Sequence, residues 1–167
     1  MFGFLKKNKT GRLNETLYAV ATGNLVPISE VNDPVFSKKM MGDGFAIIPS
    51  KKEIYSPIEG KILSVFQTKH AVGLKMDNGL EILLHMGIDT VELNGTPFDI
   101  KVSEGMKVTK HTLIANVDIE QIAMAGKPVD MVVVITNMDA LKQFDLVKTG
   151  SVIAGDEIGV AQAQMTL

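Results

Sequence analysis

Turn-forming residues interrupt this sequence at short intervals, and short apolar or alternating runs lie between them. The turn signals are rich in Gly, Pro, Asn and Asp, which suit the backbone angles of tight turns. They recur from GN at 23–24 to AGDE at 154–157. The clearest runs between them are Phe45–Ile48, Lys61–Phe66, Ala71–Met76, Leu80–Met86, Thr112–Val117 and Met131–Ile135. This pattern predicts an all-β fold, an antiparallel β-sandwich or barrel-like arrangement.

Helix signals are few and short. Asp118 can cap a helix that ends at Gly126, and residues 139–144 have a similar pattern with Asn137 or Asp139 as the cap. Residues 33–40 have room for one more turn. None of these segments is long enough to connect two parallel strands, so a parallel α/β sheet is not expected. A few short helical turns on a β framework are expected instead.

The chain length suits a single domain. The sequence has 167 residues, enough for one core that is stable unaided. We predict a flexible N-terminal segment at 1–20 and a single domain at 21–167. No apolar run approaches the roughly 20 residues of a membrane span, so a cytoplasmic protein is expected. The start MFGFLKKNKTG indicates a frayed terminus or a weak contact with an anionic membrane surface.

Charge and cysteine content exclude several functions. The net charge is −2, which gives no electrostatic reason to expect a nucleic-acid partner. The sequence contains no cysteine, so it has no disulfides, no thiolate nucleophile and no cysteine zinc site.

Two histidines flank one predicted turn, in the stretch TKHAVGLKMDNGLEILLHMGID. An Asn78–Gly79 turn would place His70 diagonal to His85, and an Asp77–Asn78 turn would place the two directly opposite. Both registers put the rings on one face, whereas a three-residue loop with a bulge at Gly79 would change the parity. The predicted shared face also carries Val72, Leu74, Met76 and Leu83.

Two imidazoles on an apolar face have unusual chemistry. Burial disfavours the charged form and a second imidazolium would be repelled, so both pKa values should fall. A neutral imidazole can act as a nucleophile, a base or a metal ligand. A structural histidine pair is the simpler alternative, but perturbed titratable groups tend to mark functional sites.

Three chemistries compete for this pair. Two histidines with Asp89 could form a zinc site, but no His-x-His motif follows, and His111 reads as a solvated loop residue. Lys75 in LKM could carry biotin or lipoate, but it does not lie at the tip of the hairpin. The third chemistry is phosphoryl transfer, in which one histidine carries the phosphate and the other donates a hydrogen bond to its oxygens.

Long motifs identify a family that fits the third chemistry. The stretches VFSKKMMGDGFAIIPS, IYSPIEGKILSVFQTKHAVGLKMDNGLEILLHMGIDTVELNG, VSEGMKV and VVVITNMD resemble the IIA component, glucose family, of the bacterial phosphoenolpyruvate-dependent sugar phosphotransferase system. The pair TKHA and LLHMGIDTVEL is especially specific. The resemblance implies a β-sandwich that acts as a phosphocarrier and needs neither a metal nor another cofactor.

The resemblance also implies roles for individual residues. Nε2 of His85 would accept the phosphoryl group from the phosphocarrier protein HPr and pass it to a cysteine on the IIB domain of a sugar permease. His70 would stabilise the phosphate, Thr68 would orient His70, and the backbone carbonyl of Gly87 would fix the tautomer of His85. Partner contacts would come from apolar Phe36, Met40, Phe66 and Val91 and from acidic Asp33 and Asp89.

The remaining expectations concern how such a chain would work. With no apolar span and no cysteine, it would carry neither a permease nor a IIB domain and would act in trans. The alternative is a regulatory binding protein, in which phosphorylation of His85 only sets which target binds. A zinc hydrolase is the third possibility, and it lacks ligands.

Overall fold

The computed structural model describes residues 14–164, which form fourteen strands and two short α-helices. The strands are β1 Thr16–Tyr18, β2 Gly23–Pro27, β3 Asp43–Pro49, β4 Glu53–Tyr55, β5 Gly60–Val65, β6 Ala71–Met76, β7 Glu81–Met86, β8 Phe98–Ile100, β9 Lys107–Val108, β10 Leu113–Val117, β11 Met131–Ile135, β12 Leu141–Leu146, β13 Gly150–Val152 and β14 Glu157–Ala163. The helices are α1 Pro34–Ser37 and α2 Ile119–Met124, and 3-10 turns cover Ile28–Glu30, Thr90–Leu93 and Met138–Ala140.

The strands form three antiparallel sheets. An eight-stranded sheet has the order β13-β2-β3-β11-β7-β6-β5-β9, and two three-stranded sheets have the orders β1-β14-β12 and β4-β10-β8. All strand pairs among the described residues are antiparallel. The predicted antiparallel β-sandwich with short helical turns is therefore confirmed.

The main core gathers side chains from all three sheets. Leu17 of β1, Ile114 of β10 and Leu84 of β7 belong to one buried cluster. The two small sheets therefore cover one face of the large sheet. A second, smaller cluster contains Ile28, Val31, Phe36, Ala46, Ile88, Val132 and Val134. Since Val132 and Val134 alternate with core residues of β11, this second cluster lies on the opposite face of the large sheet.

Burial on both faces explains why β11 is apolar throughout. Met131 and Val133 face the main core, while Val132 and Val134 face the second cluster. All five residues of the strand are buried. A strand covered on both sides has a continuous apolar run rather than an alternating pattern. This central strand lies next to β7, which carries one of the two histidines.

Two local predictions meet different outcomes. Asp118 caps α2 as predicted, because its carboxylate accepts a hydrogen bond from the amide of Gln121 at 3.0 Å. The helix predicted at 139–144 is wrong. Only Met138–Ala140 form a 3-10 turn, and the following Leu141–Leu146 pair with β14 as a strand.

The folded part of the chain begins before residue 21. Thr16–Tyr18 pair with β14, and Leu17, Ala19 and Val20 are almost completely buried. The predicted flexible segment therefore cannot extend to residue 20. Residues 1–13, on which the expected membrane contact depends, lie outside the described residues. Within residues 14–164, no helix has the length and apolar character needed to cross a membrane.

Candidate functional site

The histidine hairpin has a three-residue loop. Residues 77–79 connect β6 and β7, the amide of Met76 donates to the carbonyl of Leu80 at 2.8 Å, and Gly79 has φ +94°. The resulting register places Ala71 opposite His85. Both registers predicted from a two-residue turn are therefore wrong, and the loop is the alternative that changes the parity.

The change of parity moves His85 to the outer face of the large sheet. Val72, Leu74 and Met76 point into the main core, together with Ile82 and Leu84 of β7. His85 pairs with Val132 of β11, which belongs to the second cluster. The predicted shared face is thus wrong for Val72, Leu74 and Met76, although Leu83 does lie on the face of His85.

The two rings nevertheless meet. His70 immediately precedes β6 and follows Lys69, whose left-handed backbone (φ 61°) turns the chain before the strand begins. The ring centroids of His70 and His85 are 5.0 Å apart, with an interplanar angle of 79°. His70 is 7% exposed, while His85 is half-buried. The site therefore presents one accessible imidazole with a second one beside it.

Aromatic rings support both histidines from outside the pair. The ring of Phe36 on α1 contacts His85 with centroids 5.2 Å apart, and Phe66 contacts His70 with centroids 5.6 Å apart. Both contacts are edge-to-face, the arrangement that aromatic rings prefer over face-to-face stacking. These contacts restrict how either imidazole can rotate.

The tautomer of His85 follows from its hydrogen bond. Nδ1 of His85 lies 2.7 Å from the carbonyl oxygen of Gly87. A carbonyl oxygen can only accept, so Nδ1 must carry the proton that it donates. In the neutral ring, Nε2 then holds a free lone pair. A free ring nitrogen of this kind is what an attacking nucleophile requires.

A second hydrogen bond holds His70. Oγ1 of Thr68 lies 2.7 Å from Nδ1 of His70. A hydroxyl can donate or accept, so this bond is compatible with either tautomer. The contact expected between these two residues is present, and it joins them across the left-handed residue Lys69.

The site favours neutral imidazoles. Burial lowers the pKa of His85 below 6.5, and this effect outweighs the hydrogen bond to Gly87 and the charges of Asp33 and Asp89, which raise it. Burial also lowers the pKa of His70, and the neighbouring His85 lowers it further. Both rings are therefore mostly neutral at pH 7.

Gly87 cannot be replaced without strain. Its φ is +81°, and a Cβ built there would lie 2.4 Å from Cγ2 of Thr90 and 3.2 Å from the carbonyl oxygen of Pro128. A side chain would therefore disturb the carbonyl that holds His85. Thr90 is not among the predicted site residues, because a threonine after a turn carboxylate has no sequence signal of its own.

The expected partner contacts divide into exposed and buried residues. Met40, Phe66 and Val91 are 70%, 41% and 46% exposed. Phe36 is only 4% exposed, so its side chain offers little surface to a partner, and its role as a partner contact stays a prediction. Its ring packs against His85.

The two acidic residues lie at the ends of helical turns. Asp33 caps α1 by accepting a hydrogen bond from the amide of Val35 at 2.9 Å. Asp89 is exposed, has a left-handed backbone (φ 58°) and makes no capping hydrogen bond with its side chain. Both carboxylates act electrostatically on His85, so a negative field surrounds this ring.

The competing chemistries find less support in the geometry. Lys75 is the penultimate residue of β6 and pairs with Glu81, so it lies on the strand and not in the hairpin loop. His111 is exposed in the β9–β10 turn. Across residues 14–164, no three His, Cys, Asp or Glu side chains lie close enough together to hold a metal. A zinc site at the histidine pair therefore has no third ligand within this range.

Comparison with known proteins assigns this chain to a family. The model of the phosphoenolpyruvate-dependent sugar phosphotransferase system, EIIA 1, matches residues 15–141, which include every predicted site residue. The chain belongs to this family of phosphotransfer components. The resemblance inferred from the motifs is confirmed.

Individual relatives agree with this assignment. The "PTS system glucose-specific EIIA component" of Staphylococcus aureus strain COL is 42% identical over 150 residues, which cover 90% of each chain. The "PTS system glucose-specific EIICBA component" of Streptococcus pneumoniae serotype 4 is 49% identical over 142 residues, or 85% of this chain and 20% of that protein. This chain therefore spans only a fifth of the streptococcal protein.

A solved structure shares the fold. "Glucose permease IIA from Mycoplasma capricolum" superimposes with a TM-score of 0.79 at 33% identity, over 95% of this chain and 99% of that one. Since nearly the whole of both chains is covered, the two chains share one overall fold.

Proposed function

We propose that this protein is a cytoplasmic phosphocarrier of a sugar phosphotransferase system. It accepts a phosphoryl group from phospho-HPr on Nε2 of His85 and passes it to the cysteine of a permease IIB domain. The observation that carries the proposal is the 2.7 Å contact between Nδ1 of His85 and the carbonyl of Gly87. The names of the staphylococcal and streptococcal relatives support glucose as the sugar of the system.

The proposed chemistry is an in-line exchange between two nitrogens. The lone pair on Nε2 of His85 attacks the phosphorus, a new N–P bond forms, and the N–P bond to the HPr histidine breaks with its electron pair returning to that nitrogen. The ring of His85 then becomes more positive, which the Gly87 carbonyl stabilises through the Nδ1 proton. In the second step a IIB thiolate attacks the phosphorus, and Nε2 recovers its lone pair.

His70 supplies a hydrogen bond in this proposal. If the hydroxyl of Thr68 donates to Nδ1 of His70, the proton of the neutral ring lies on Nε2 and can be donated to a phosphoryl oxygen. The 5.0 Å separation of the ring centroids is consistent with this role. Because the transition state of phosphoryl transfer is loose, positioned donors supply much of the catalysis.

The docking surface in this proposal consists of Met40, Phe66 and Val91, with Asp33 and Asp89 beside His85. The apolar side chains would contact a partner protein, and the carboxylates would receive arginines of HPr. Pairing the two carboxylates with arginines would also offset their repulsion of an incoming phosphate.

A phosphorylation assay tests the proposal directly. The protein is incubated with phosphoenolpyruvate, enzyme I and HPr, and the modified residue is mapped by mass spectrometry. We expect one phosphate on His85, labile in acid and stable in base. His85→Ala should abolish it, while His111→Ala, which changes an exposed histidine outside the pair, should not. Phosphate on another residue, or none, would refute the proposal.

A second assay separates the phosphocarrier from a purely regulatory binding protein. The phosphorylated protein is mixed with the IIB domain of a glucose permease, and transfer to its cysteine is followed. Rapid loss of phosphate from His85 with its appearance on IIB is expected. A phosphoprotein that binds partners but transfers nothing would favour the regulatory alternative.

A further inference from the structure

Thr90 is a fully buried polar residue to which the proposed function gives no role. It is 0% exposed and begins the 3-10 turn after His85. Its Oγ1 donates a 2.6 Å hydrogen bond to the carbonyl of Met86. A buried hydroxyl costs free energy unless it is bonded, and here the bond is made to the residue that immediately follows His85.

This hydrogen bond belongs to a set that fixes two consecutive peptide groups. In the first, the Met86 carbonyl accepts from Thr90, and the Gly87 amide donates to the carbonyl of Asp130 at 2.8 Å. In the second, the Gly87 carbonyl accepts from His85, and the Ile88 amide donates to the carbonyl of Pro128 at 3.1 Å. Each of the two peptide groups is thus hydrogen-bonded through both its carbonyl oxygen and its amide.

Thr90 is the one member of this set whose contribution a substitution can remove. The two peptide groups have four hydrogen-bond partners. Asp130 and Pro128 contribute main-chain carbonyls, which a side-chain substitution leaves in place, and His85 is the reacting residue itself. Because a peptide group is planar, holding the Met86 carbonyl also holds the Gly87 amide. The orientation of that peptide then limits where the next carbonyl, the one facing His85, can point.

The methyl group of Thr90 acts on the same glycine. Cγ2 lies 2.4 Å from the position that a Cβ at residue 87 would occupy. It therefore fills the space beside the Gly87 α-carbon, which has φ +81°. Rotation of this glycine towards another backbone conformation would have to displace a buried side chain.

We infer that Thr90 is a positioning residue, whose hydroxyl, with a smaller contribution from its methyl, holds the Gly87 carbonyl against Nδ1 of His85 and so keeps Nε2 free of a proton. The inference rests on the proposed function for its consequence, phosphoryl acceptance, but not for its structural content. Thr90 itself does not contact the phosphoryl group.

Two readouts on two variants test the inference. ¹⁵N NMR of labelled histidines reports which ring nitrogen of His85 carries the proton, and the phosphorylation assay gives the rate of acceptance at saturating phospho-HPr. Thr90→Val replaces the hydroxyl with a methyl that cannot approach the Met86 carbonyl as closely. We expect a measurable population with the proton on Nε2 and acceptance about three- to tenfold slower, the range for one net hydrogen bond. Thr90→Ser keeps the hydroxyl and should largely restore the Nδ1-protonated tautomer.

Controls separate positioning from loss of stability. Thr96→Val removes a comparable hydroxyl, which donates to the carbonyl of Leu93 at 3.0 Å but lies on an exposed residue, and it should change neither readout. If Thr90→Val does not fold, Thr90→Ser and Thr90→Ala, which differ only in the hydroxyl, provide the same comparison.

The outcomes distinguish this inference from the proposed function. A wild-type protein that accepts phosphate on His85, with a Thr90→Val variant unchanged in tautomer and rate, overturns the inference alone. A wild-type protein that accepts no phosphate overturns the proposed function, while the NMR comparison still decides whether Thr90 controls the tautomer.

Discussion

The rings of His70 and His85 meet edge to face, with centroids 5.0 Å apart and an interplanar angle of 79°, although the two residues are not paired in the hairpin. His85 is paired with Ala71. The left-handed residue Lys69 turns the chain just before β6 and brings the ring of His70 beside that of His85. The pair thus arises at a strand end, and it places one shielded imidazole next to one that a partner can reach.

His70→Ala should separate acceptance of the phosphate from its onward transfer. Nε2 of His85 stays free and Nδ1 keeps its hydrogen bond to the Gly87 carbonyl, so acceptance from phospho-HPr should continue. Transfer to IIB should fall about 100-fold or more, the range for loss of one positioned donor to the transition state. Rapid-quench kinetics of each step measure this. If acceptance were blocked as fully as in His85→Ala, the roles assigned to the two rings would be wrong.

Gly87→Ala should impair both folding and acceptance. The new Cβ would meet Cγ2 of Thr90 at 2.4 Å with φ at +81°, and relieving that overlap would move the carbonyl that holds His85. Gly79→Ala is the matched control, since φ is +94° there but no atom lies within 4 Å. The control should lose about 1–2 kcal/mol of unfolding free energy, and Gly87→Ala about 1–3 kcal/mol more. Urea unfolding measures both, and equal losses would contradict the steric argument.

Acceptance of phosphate should depend on pH through His85. Only the neutral ring has a free lone pair on Nε2, and burial lowers the pKa of this ring below 6.5. The rate should therefore be constant above about pH 7 and should fall only as the pH passes below the lowered pKa. A midpoint above 6.5 in a pH–rate profile, measured with a donor held at constant phosphorylation, would contradict the burial argument.

The same lowered pKa values predict a pH dependence of stability. The unfolded histidines bind protons near pH 6.5, whereas folding lowers the pKa of both His70 and His85. The unfolded state therefore binds more protons in this window, and the free energy of unfolding should fall from pH 7.5 to pH 5.5. His85→Gln should make this dependence shallower in urea unfolding. His111→Gln, which changes an exposed histidine outside the pair, is the control.

Asp89→Asn should slow the encounter with phospho-HPr without disturbing the fold. The residue is exposed with φ 58°, and asparagine tolerates this backbone conformation. The kcat/KM for acceptance should fall severalfold at low salt and recover towards wild type at about 0.5 M salt, where charges are screened. Glu120→Gln, an exposed carboxylate on α2, should have no effect. A loss independent of salt would argue against an electrostatic role.

Truncation of Phe36 should lower the stability of the fold, whereas truncation of Met40 should weaken partner binding. Phe36 is 4% exposed behind His85, while Met40 is 70% exposed. Phe36→Ala should lower the unfolding free energy by about 3–5 kcal/mol. Met40→Ala should change it by less than about 0.5 kcal/mol but weaken binding to HPr or IIB. Calorimetry of unfolding and of binding distinguishes the two effects, and a stable Phe36→Ala variant with weak binding would restore Phe36 to the docking surface.

Local patterns in the sequence predicted much of this fold. The bounds of β6 and β11 match the predicted runs Ala71–Met76 and Met131–Ile135, because alternating or continuous apolar residues between turn signals have few other stable arrangements. The helix cap at Asp118 was equally predictable from the sequence, since its hydrogen-bond partner is the amide of Gln121, three residues away. The helix predicted at 139–144 failed because pairing with β14, a distant part of the chain, makes Leu141–Leu146 a strand.

By itself, the sequence determined that two histidines lie on one antiparallel hairpin, since turn residues and apolar periodicity act over a few neighbours. Only the tertiary structure decided which face of the sheet His85 occupies. The residues DNG at 77–79 are compatible with loops of two or three residues, and a register shift of one residue moves every side chain of the strand to the opposite face. It also decided that Phe36 is buried and that Thr90 lies beneath Gly87. Those contacts depend on how separate segments pack, and short-range patterns do not encode such packing.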